Sequence, residues 1–152
     1  MGTSLAHEER TIALVQLLRQ HGCFISMDDE TLRAFAGDLT IHRHVRRSFI
    51  NVAVGDIGHV HFICEGLFKI VQLLPSGEEV IVDVVGPGDF VGGILSVSFK
   101  GAEKVIAEVV DDAIVCSMSI EQFNHHLRHA PALHHLILMH MERRMLRTHE
   151  RL

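Results

Sequence analysis

The stretch HVHFICEGLFKI, residues 59–70, decides the fold. Hydrophobic residues, several of them β-branched or aromatic, stand on both sides of Glu65-Gly66, which predicts two strands joined by a tight turn. The next stretch, PSGEEVIV at residues 75–82, predicts a hairpin turn that leads into another strand. GPGDFVG, at residues 86–92, adds a glycine-rich turn. Strands and turns that alternate at this short spacing are typical of an all-β barrel, sandwich or roll.

The same alternation of short hydrophobic segments and turn residues extends from Ile41 to Ser119. The segments predicted as strands are residues 48–54, 59–64, 67–74, 79–85, 104–110 and 113–119. They are short and rich in β-branched residues, and turn-forming Gly, Pro or Asp residues separate most of them. The central part of the chain is therefore predicted to consist of strands.

Two helices are predicted before the strands. Residues 7–20 carry apolar side chains at helical spacing, and Gly22 supplies a stop. A second helix is predicted to begin near Ser26, because Ser26 and Asp29 have the spacing of a capping box. Gly37 is expected to end it.

Two more helices are predicted after the strands: a short one at residues 121–129, and a long one with Pro131 in its first turn. The long helix has two apolar faces. On one of them the spacing alternates between three and four residues, as in a coiled-coil seam. This predicted dimer seam contains His134, Leu138, Met141, Met145 and Thr148. The other face, with Leu133, Leu136 and Ile137, is predicted to pack on the strands. The alternative is a single wide stripe that faces the core.

The composition is that of one globular domain, with 152 residues, of which 47% are hydrophobic and 22% charged. A net charge of −5 makes the chain as a whole a poor electrostatic match for nucleic acid. No apolar run is long enough to span a membrane, and the N-terminus lacks the pattern of a secretory signal. These features predict a cytoplasmic protein that makes no membrane contact.

Three cysteines, Cys23, Cys64 and Cys116, are widely spaced. Their odd number fits a reducing compartment better than a disulfide framework, and it is too small for an iron–sulfur cluster held by four cysteines. Cys64 and Cys116 fall in predicted strands and are expected to be buried and inert, whereas Cys23 is the one expected to be exposed.

Signatures of common enzyme classes are missing from the sequence. The chain contains neither Gly-x-Ser-x-Gly nor a glycine-rich phosphate loop ending in Gly-Lys. Acidic pairs such as Glu78-Glu79 and Asp111-Asp112 fall at predicted turns, where solvated charges are expected. We therefore expect that the protein is not an enzyme.

The succession of motifs resembles the Crp/Fnr family of bacterial transcription regulators. The strand with Glu65-Gly66, the hairpin at 75–82 and the GPGDFVG turn follow the order found in that family, and the long helix has the position of its dimerisation helix. The resemblance covers roughly residues 26–151. It implies an α+β, mainly β fold: a double-stranded β-helix (jelly roll) of the cyclic-nucleotide-binding type, flanked by N-terminal helices and a long C-terminal dimerisation helix.

The resemblance also implies a domain organisation. Residues 1–130 are expected to form the effector-sensing roll with its N-terminal helices, and residues 131–152 the helix of a homodimer. A small-molecule or gas effector is expected to bind in the roll. Members of the family continue into a helix-turn-helix domain, and contact with DNA is expected only through such a domain, which is expected to be absent from this chain.

The phosphate-binding cassette departs from the family pattern. Cyclic-nucleotide binders in this family carry a Glu and, about ten residues later, an Arg followed by a small hydroxyl residue. The matching positions here are Gly93, Glu103 and Lys104. A carboxylate repels a cyclic phosphate that an arginine would bind bidentately, so neither cyclic AMP nor cyclic GMP is expected to be the effector. The effector pocket implied by the resemblance contains Phe90, Gly92, Gly93, Ile94, Leu95, Glu103, Lys104 and Val105.

Some relatives in the family sense carbon monoxide or nitric oxide through a haem held between the roll and the dimerisation helix. The resemblance therefore makes haem a candidate cofactor, and haem-based gas or redox sensing a candidate function. His134, His135 and His140 are the candidate axial ligands, because imidazole is a suitable ligand for haem iron. Alternatively, these histidines flank the dimer seam and the neighbouring methionines fill the core.

A cupin-like metal-binding β-roll protein is the alternative function. His59, His61 and Glu65 have the spacing of a cupin metal site, and two imidazoles at i and i+2 lie on one face of a strand. In the competing interpretation, Val60 and Phe62 belong to the buried face of the strand, and both histidines face solvent.

Overall fold

The computed structural model describes residues 2–53, 58–92 and 104–151. The helices are α1 (Gly2–Arg19), α2 (Asp29–Gly37), α3 (Ile120–His129) and α4 (Pro131–Arg151), with one 3₁₀ turn at Gly22–Phe24. The strands are β1 (Thr40–His44), β2 (Phe49–Ala53), β3 (His59–Leu73), β4 (Glu79–Val85), β5 (Phe90–Val91) and β6 (Lys104–Ser119). A mainly β centre with helices at both ends confirms the fold class expected from the sequence.

The chain divides into two compact units. One contains Met1–Leu39 together with Gln122–Leu152, and the other contains Thr40–Glu121. The first unit is therefore helical and the second holds all the described strands. None of the helices in the described ranges is both long and apolar enough to cross a membrane.

Two long strands, β3 and β6, organise the sheet. They pair antiparallel from His59 opposite Ser119 to Leu73 opposite Lys104. The sheet order is β1-β6-β3-β4, and β2 and β5 pair with β6 and β3 respectively. The strands predicted separately at 59–64 and 67–74 are thus one strand, and so are those at 104–110 and 113–119. Register shifts between Ile63 and Phe68 accommodate the bend, which is how a bulge lets one strand turn a corner without ending.

Gly66 explains why the turn signal inside β3 does not end the strand. Its φ is +100°, in the region that glycine adopts without a steric penalty. A Cβ built at this position would lie 2.6 Å from Ala113 Cβ on the neighbouring strand. Gly66 therefore lets β6 approach β3 closely at the bend.

The interior of the strand unit is apolar. The core cluster contains Ile63, Phe68, Ile70, Val85, Val91, Val105, Ala107, Val109, Ala113 and Val115, with Ile50 and Val82 packed against it. These are mostly the β-branched and aromatic residues that predicted the strands, and the alternation along β3 and β6 directs them to one side.

The helix boundaries match the prediction within one residue except at the starts of α1, which begins at Gly2 rather than near His7, and of α2. The expected capping box at Ser26 is wrong, because Asp28 is the N-cap and its carboxylate accepts a hydrogen bond of 2.9 Å from the Thr31 backbone N–H. The Thr31 hydroxyl contact, followed by this backbone bond, lowers the pKa of Asp28. The predicted end of α2 at Gly37 is confirmed, as is the first-turn position of Pro131 in α4.

Candidate functional site

The GPGDFVG turn is fixed against the middle of β3. The backbone N–H of Gly88 donates to Ile63 O at 2.9 Å, and the backbone N–H of Ile63 donates to Asp89 O at 3.0 Å. Within the turn, the Asp89 carboxylate accepts a 2.9 Å hydrogen bond from the Gly86 N–H. The aspartate of the motif therefore stabilises the turn, and the turn is held to β3 by a pair of backbone hydrogen bonds.

Gly92 ends the turn at a point of close contact with the start of β3. Its φ is +97°, and a Cβ at this position would lie 2.5 Å from His59 O. No residue with a side chain fits there without moving β3. The close contact therefore fixes the position of Gly92, the residue directly before the stretch 93–104 that the family resemblance assigns to the phosphate-binding cassette.

The predicted pocket residues that the structure describes are buried. Phe90 and Val91 form β5, and the Phe90 ring lies 4.9 Å from the ring of Phe62, centroid to centroid. Val105, at the start of β6, is fully buried. Gly93, Ile94, Leu95 and Glu103 lie outside the described residues, as does the side chain of Lys104.

The described lining of the roll contains no charged side chain. Between residues 40 and 121, the buried polar side chains in the described part are His61 and Ser117, and they contact each other, with His61 Nδ1 2.6 Å from Ser117 Oγ. An ionised phosphate needs charged or hydrogen-bonding partners when it leaves water. The described interior thus offers an ionised phosphate no charged partner.

The three residues of the predicted metal site differ in their surroundings. The rings of His59 and His61 stack with centroids 6.3 Å apart, but His59 is exposed whereas His61 is buried. The expectation that both histidines face solvent is therefore wrong for His61. His61 is buried because both faces of β3 are covered, and every residue from Val60 to Cys64 is buried.

Glu65 lies beyond the register shift and lines a different feature. It borders a cavity of about 220 Å³ together with Arg43, His44 and Asp112. Burial lowers the pKa of His44, because the imidazolium loses hydration there, and the neighbouring His42 adds to the effect. Among the described residues, no three His, Cys, Asp or Glu side chains are placed to hold a metal ion. The metal site stays a prediction that this geometry does not support.

The three candidate haem ligands on α4 have different environments. The His134 ring is exposed, and its Nε2 contacts the Leu127 carbonyl oxygen. His140 is buried, on the same face as Leu133 and Leu136. His135 is exposed and lines a groove of about 330 Å³ that also contains Met27, Met139 and Arg143. The structure therefore does not bring the three imidazoles together.

The predicted dimer seam is an exposed apolar stripe on α4. Leu138 is 66% exposed and Met145 is 64% exposed, and Met141 is exposed as well. The side chain of Thr148 lies outside the described residues. The opposite face, with Leu133, Leu136 and Ile137, is buried. The helix thus has the two apolar faces that its sequence predicted, one covered and one open.

One close contact was missed at the sequence level. Cys64 Sγ and Cys116 Sγ lie 3.3 Å apart, and both side chains are buried, as predicted for each of them singly. The contact with Cys116, followed by burial, raises the pKa of Cys64, whereas the same contact lowers the pKa of Cys116. Nothing local in the sequence indicates the contact, because the two residues are 52 positions apart.

Comparison with known proteins assigns the family. Residues 43–130, more than half of the chain, match the cyclic nucleotide-binding domain family. A probable transcriptional regulator of Lacticaseibacillus casei is 28% identical over 124 residues, which are 80% of this chain and 55% of that protein. The chain thus spans about half the length of the curated relative that it matches.

Two solved structures share the fold. The sensor domain of the transcriptional regulator DNR from Pseudomonas aeruginosa is similar with a TM-score of 0.67 at 17% identity, over 93% of this chain and 92% of that one. A regulatory subunit of a cAMP-independent protein kinase A from Trypanosoma cruzi, bound to guanosine, is similar with a TM-score of 0.66 at 18% identity, over 86% of this chain and 46% of that one. The chain belongs to the cyclic nucleotide-binding domain family, and the Crp/Fnr resemblance of its sequence is confirmed.

Proposed function

We propose that this chain is the effector-sensing domain of a dimeric, cytoplasmic Crp/Fnr-type transcription regulator whose effector is not a cyclic nucleotide. It has no enzymatic activity in this proposal. Effector binding shifts the long helix and thereby re-aims a DNA-binding helix-turn-helix domain. The match to a probable transcriptional regulator supports this role.

The observation that carries the proposal is the apolar lining of the roll. Among the described residues from 40 to 121, the buried polar side chains are His61 and Ser117, neither of which is a lysine or an arginine, and they contact each other. The sequence of the cassette also argues against a cyclic nucleotide, because residues 93–104 contain two lysines but no arginine. A cyclic phosphate would therefore find no planar, bidentate donor there.

The size of the electrostatic effect supports the same conclusion. At about 4 Å and an effective dielectric constant of about 20, two unit charges interact by about 4 kcal/mol. Glu103 at the position of an arginine turns an attraction of that size into a repulsion. The cAMP-independent kinase subunit, which has guanosine bound, offers a precedent for this fold with an occupant that carries no cyclic phosphate.

Haem is the effector-binding cofactor that we propose, with His135 as the ligand that fits best. The exposed His135 ring borders an open groove with the thioethers of Met27 and Met139, and imidazole and thioether are both axial ligands of haem iron. Arg143, on the same groove, could pair with a propionate. Bound haem would supply an iron that takes up carbon monoxide or nitric oxide. His134 and His140 suit this role less well, since one is engaged with Leu127 and the other is buried.

Dimerisation through α4 is the third part of the proposal. The stripe of Leu138, Met141 and Met145 has coiled-coil spacing and is left open in the single chain. A second copy of the helix would cover it with an identical stripe, as an isologous interface requires.

Calorimetric titration of the purified chain with cyclic AMP and cyclic GMP tests the exclusion of cyclic nucleotides. We expect no binding up to millimolar concentration. The matched variant G93E/E103R/K104S, which restores the family pattern at three positions, should bind measurably. Micromolar binding by the unaltered chain would overturn the proposal.

An absorption spectrum with added haemin, recorded together with metal analysis, tests the cofactor. We expect a Soret band at one haem per chain that shifts with carbon monoxide, is lost in H135A and is kept in H134A. A featureless spectrum in the presence of haemin would exclude haem. Stoichiometric zinc, iron, nickel or manganese that is lost in H61A would instead favour the metal site of His59, His61 and Glu65.

A further inference from the structure

The Cys64–Cys116 pair lies at an irregular point of the ladder between the two longest strands. Phe62 pairs with Cys116 and Ile63 pairs with Val115, but Ile114 pairs with Glu65 instead of Cys64. Cys64 is therefore the extra residue of a bulge in β3. Bulged residues are displaced from the regular ladder, and this displacement accompanies a 3.3 Å contact between the two sulfur atoms.

We propose that Cys64 and Cys116 form an oxidation site, at which a hydroperoxide converts the two thiols into a disulfide that links β3 to β6. The two sulfur atoms are already in direct contact. A disulfide bond of about 2.0 Å requires them to approach by about 1.3 Å more. The bulge is where β3 can supply that movement, because the ladder is already interrupted there.

The chemistry balances with hydrogen peroxide as the two-electron oxidant. The Cys116 thiolate attacks one peroxide oxygen, the O–O bond breaks, and a sulfenic acid and one water result after protonation. The Cys64 sulfur then attacks the sulfenic sulfur, the S–S bond forms, the S–O bond breaks, and a second water leaves. Each sulfur gives up one electron, and the two thiol protons end in the two waters. A small thiol reductant reverses the reaction by thiol–disulfide exchange.

The contact between the two thiols favours this order of events. The lowered pKa of Cys116 increases its thiolate fraction, and the thiolate is the form that reacts with peroxide. The side chains are 3% and 0% exposed, so the oxidant must enter through a local opening of the sheet. We therefore expect slow oxidation by a small oxidant and protection from bulky ones.

The position of Cys64 connects this site to the turn before the cassette. Ile63, the preceding residue, makes two of the backbone hydrogen bonds that hold the GPGDFVG turn to β3, next to the pairing of β5 with His61 and Phe62. Any movement of β3 at Cys64 is therefore transmitted to the turn that starts the effector cassette. The inference goes beyond the proposed effector, since it needs neither haem nor a second chain.

Mass spectrometry of the whole chain tests the site. The fully reduced protein is treated with hydrogen peroxide, denatured, alkylated with iodoacetamide and digested without reductant. We expect the loss of two hydrogen atoms, alkylation at Cys23 only, and one cross-linked peptide pair that contains Cys64 and Cys116. If dithiothreitol is added to the oxidised protein before alkylation, all three cysteines should be alkylated.

C23S is the decisive variant, because it leaves the buried pair unchanged. In this variant, both remaining thiols should disappear while the chain runs as a monomer on a denaturing non-reducing gel. C64S and C116S should each prevent the cross-link. Three outcomes would overturn the inference: two thiols still titratable in oxidised C23S, oxygen atoms added stepwise to one cysteine, or a cross-link that joins two chains. Haem is absent from every arm, so failure here is distinguishable from failure of the proposed function.

Discussion

The bend of β3 and the outer face of α4 are constrained in opposite ways. At Gly66 no side chain fits, because Ala113 of the neighbouring strand occupies the space that a Cβ would need. Along α4, large apolar side chains such as Leu138 and Met145 are about two-thirds exposed. The first pattern is explained by contacts within the chain, whereas the second is the surface on which we propose that a second chain docks.

The most severe test of this contrast is G66A. The new Cβ meets Ala113, and the backbone keeps a φ that alanine disfavours, so we expect a loss of about 4 kcal/mol in the free energy of unfolding, measured by urea denaturation. G77A is the matched control. Gly77 also has a positive φ of +88°, but no atom lies within 4 Å of the point that an alanine Cβ would occupy, so this variant should lose only about 1 kcal/mol. Equal losses in the two variants would show that close approach does not matter at the bend.

H126A tests a constraint within the helical unit. His126 Nε2 lies 2.7 Å from Asp38 Oδ2, and its ring meets Phe35 edge-on at 5.6 Å. Removing the buried ring leaves a gap and breaks the contact with the partly exposed Asp38 carboxylate, so we expect a loss of about 2 kcal/mol in the free energy of unfolding. H125A, at the exposed neighbouring residue, should change it by less than about 0.5 kcal/mol. A similar loss in both variants would contradict a specific role for the contact with Asp38.

D28N tests the cap of α2 through its pH dependence. Hydrogen bonds from Thr31 lower the pKa of Asp28 in the folded chain, so the ionised carboxylate stabilises the fold above its unfolded pKa of about 3.9. This stabilisation is lost as the pH falls through the lower, folded pKa. We expect the drop in melting temperature between pH 7 and pH 3 to be smaller in D28N than in the unaltered chain. An identical drop would show that the cap makes no pH-dependent contribution.

M145S should have the smallest effect on folding and a clear effect on association. The side chain is largely exposed in the single chain, so the free energy of unfolding should stay within about 0.5 kcal/mol at dilutions where the protein is monomeric. Sedimentation velocity at higher concentration should show monomer in place of dimer. E142S, at an exposed position outside the stripe, should remain dimeric. A dimer that persists in M145S would place the interface elsewhere.

Local signals in the sequence predicted the helices and strands. The features that the prediction missed depend on contacts between residues far apart in the chain or on backbone geometry. Strand β4 has the predicted bounds, and helix α4 begins where it was predicted to begin, because turn residues and Pro131 mark these positions directly. The burial of His61 was missed because both faces of β3 are covered, and alternation along one strand cannot reveal a second layer. The helix cap was misplaced by two residues because Ser26 and Asp28 are both good caps, and only the backbone geometry selects between them.

For the candidate site, too, the sequence predicted the local element but not the contacts that the element makes. The GPGDFVG motif located the turn, but the hydrogen bonds that attach it to Ile63 depend on the fold. The thiol pair could not be found from the sequence, since it depends on a one-residue bulge between strands far apart in the chain. Register is a tertiary property, and a shift by one residue changes which side chains meet.

The long pairing of β3 with β6 also determines how the protein reaches its fold. Each residue of β3 that pairs with β6 has a partner far downstream in the chain. Among the described strands, β1 and β2 also pair only with β6. Closing these large loops loses chain entropy before the contacts repay it, so the topology belongs to the class that folds in milliseconds to seconds rather than microseconds. During synthesis, β3 emerges well before β6, and its hydrophobic edge stays unpaired in the meantime. The same strand arrangement that brings the two thiols together therefore leaves one edge of β3 open to incorrect pairing until β6 has been synthesised.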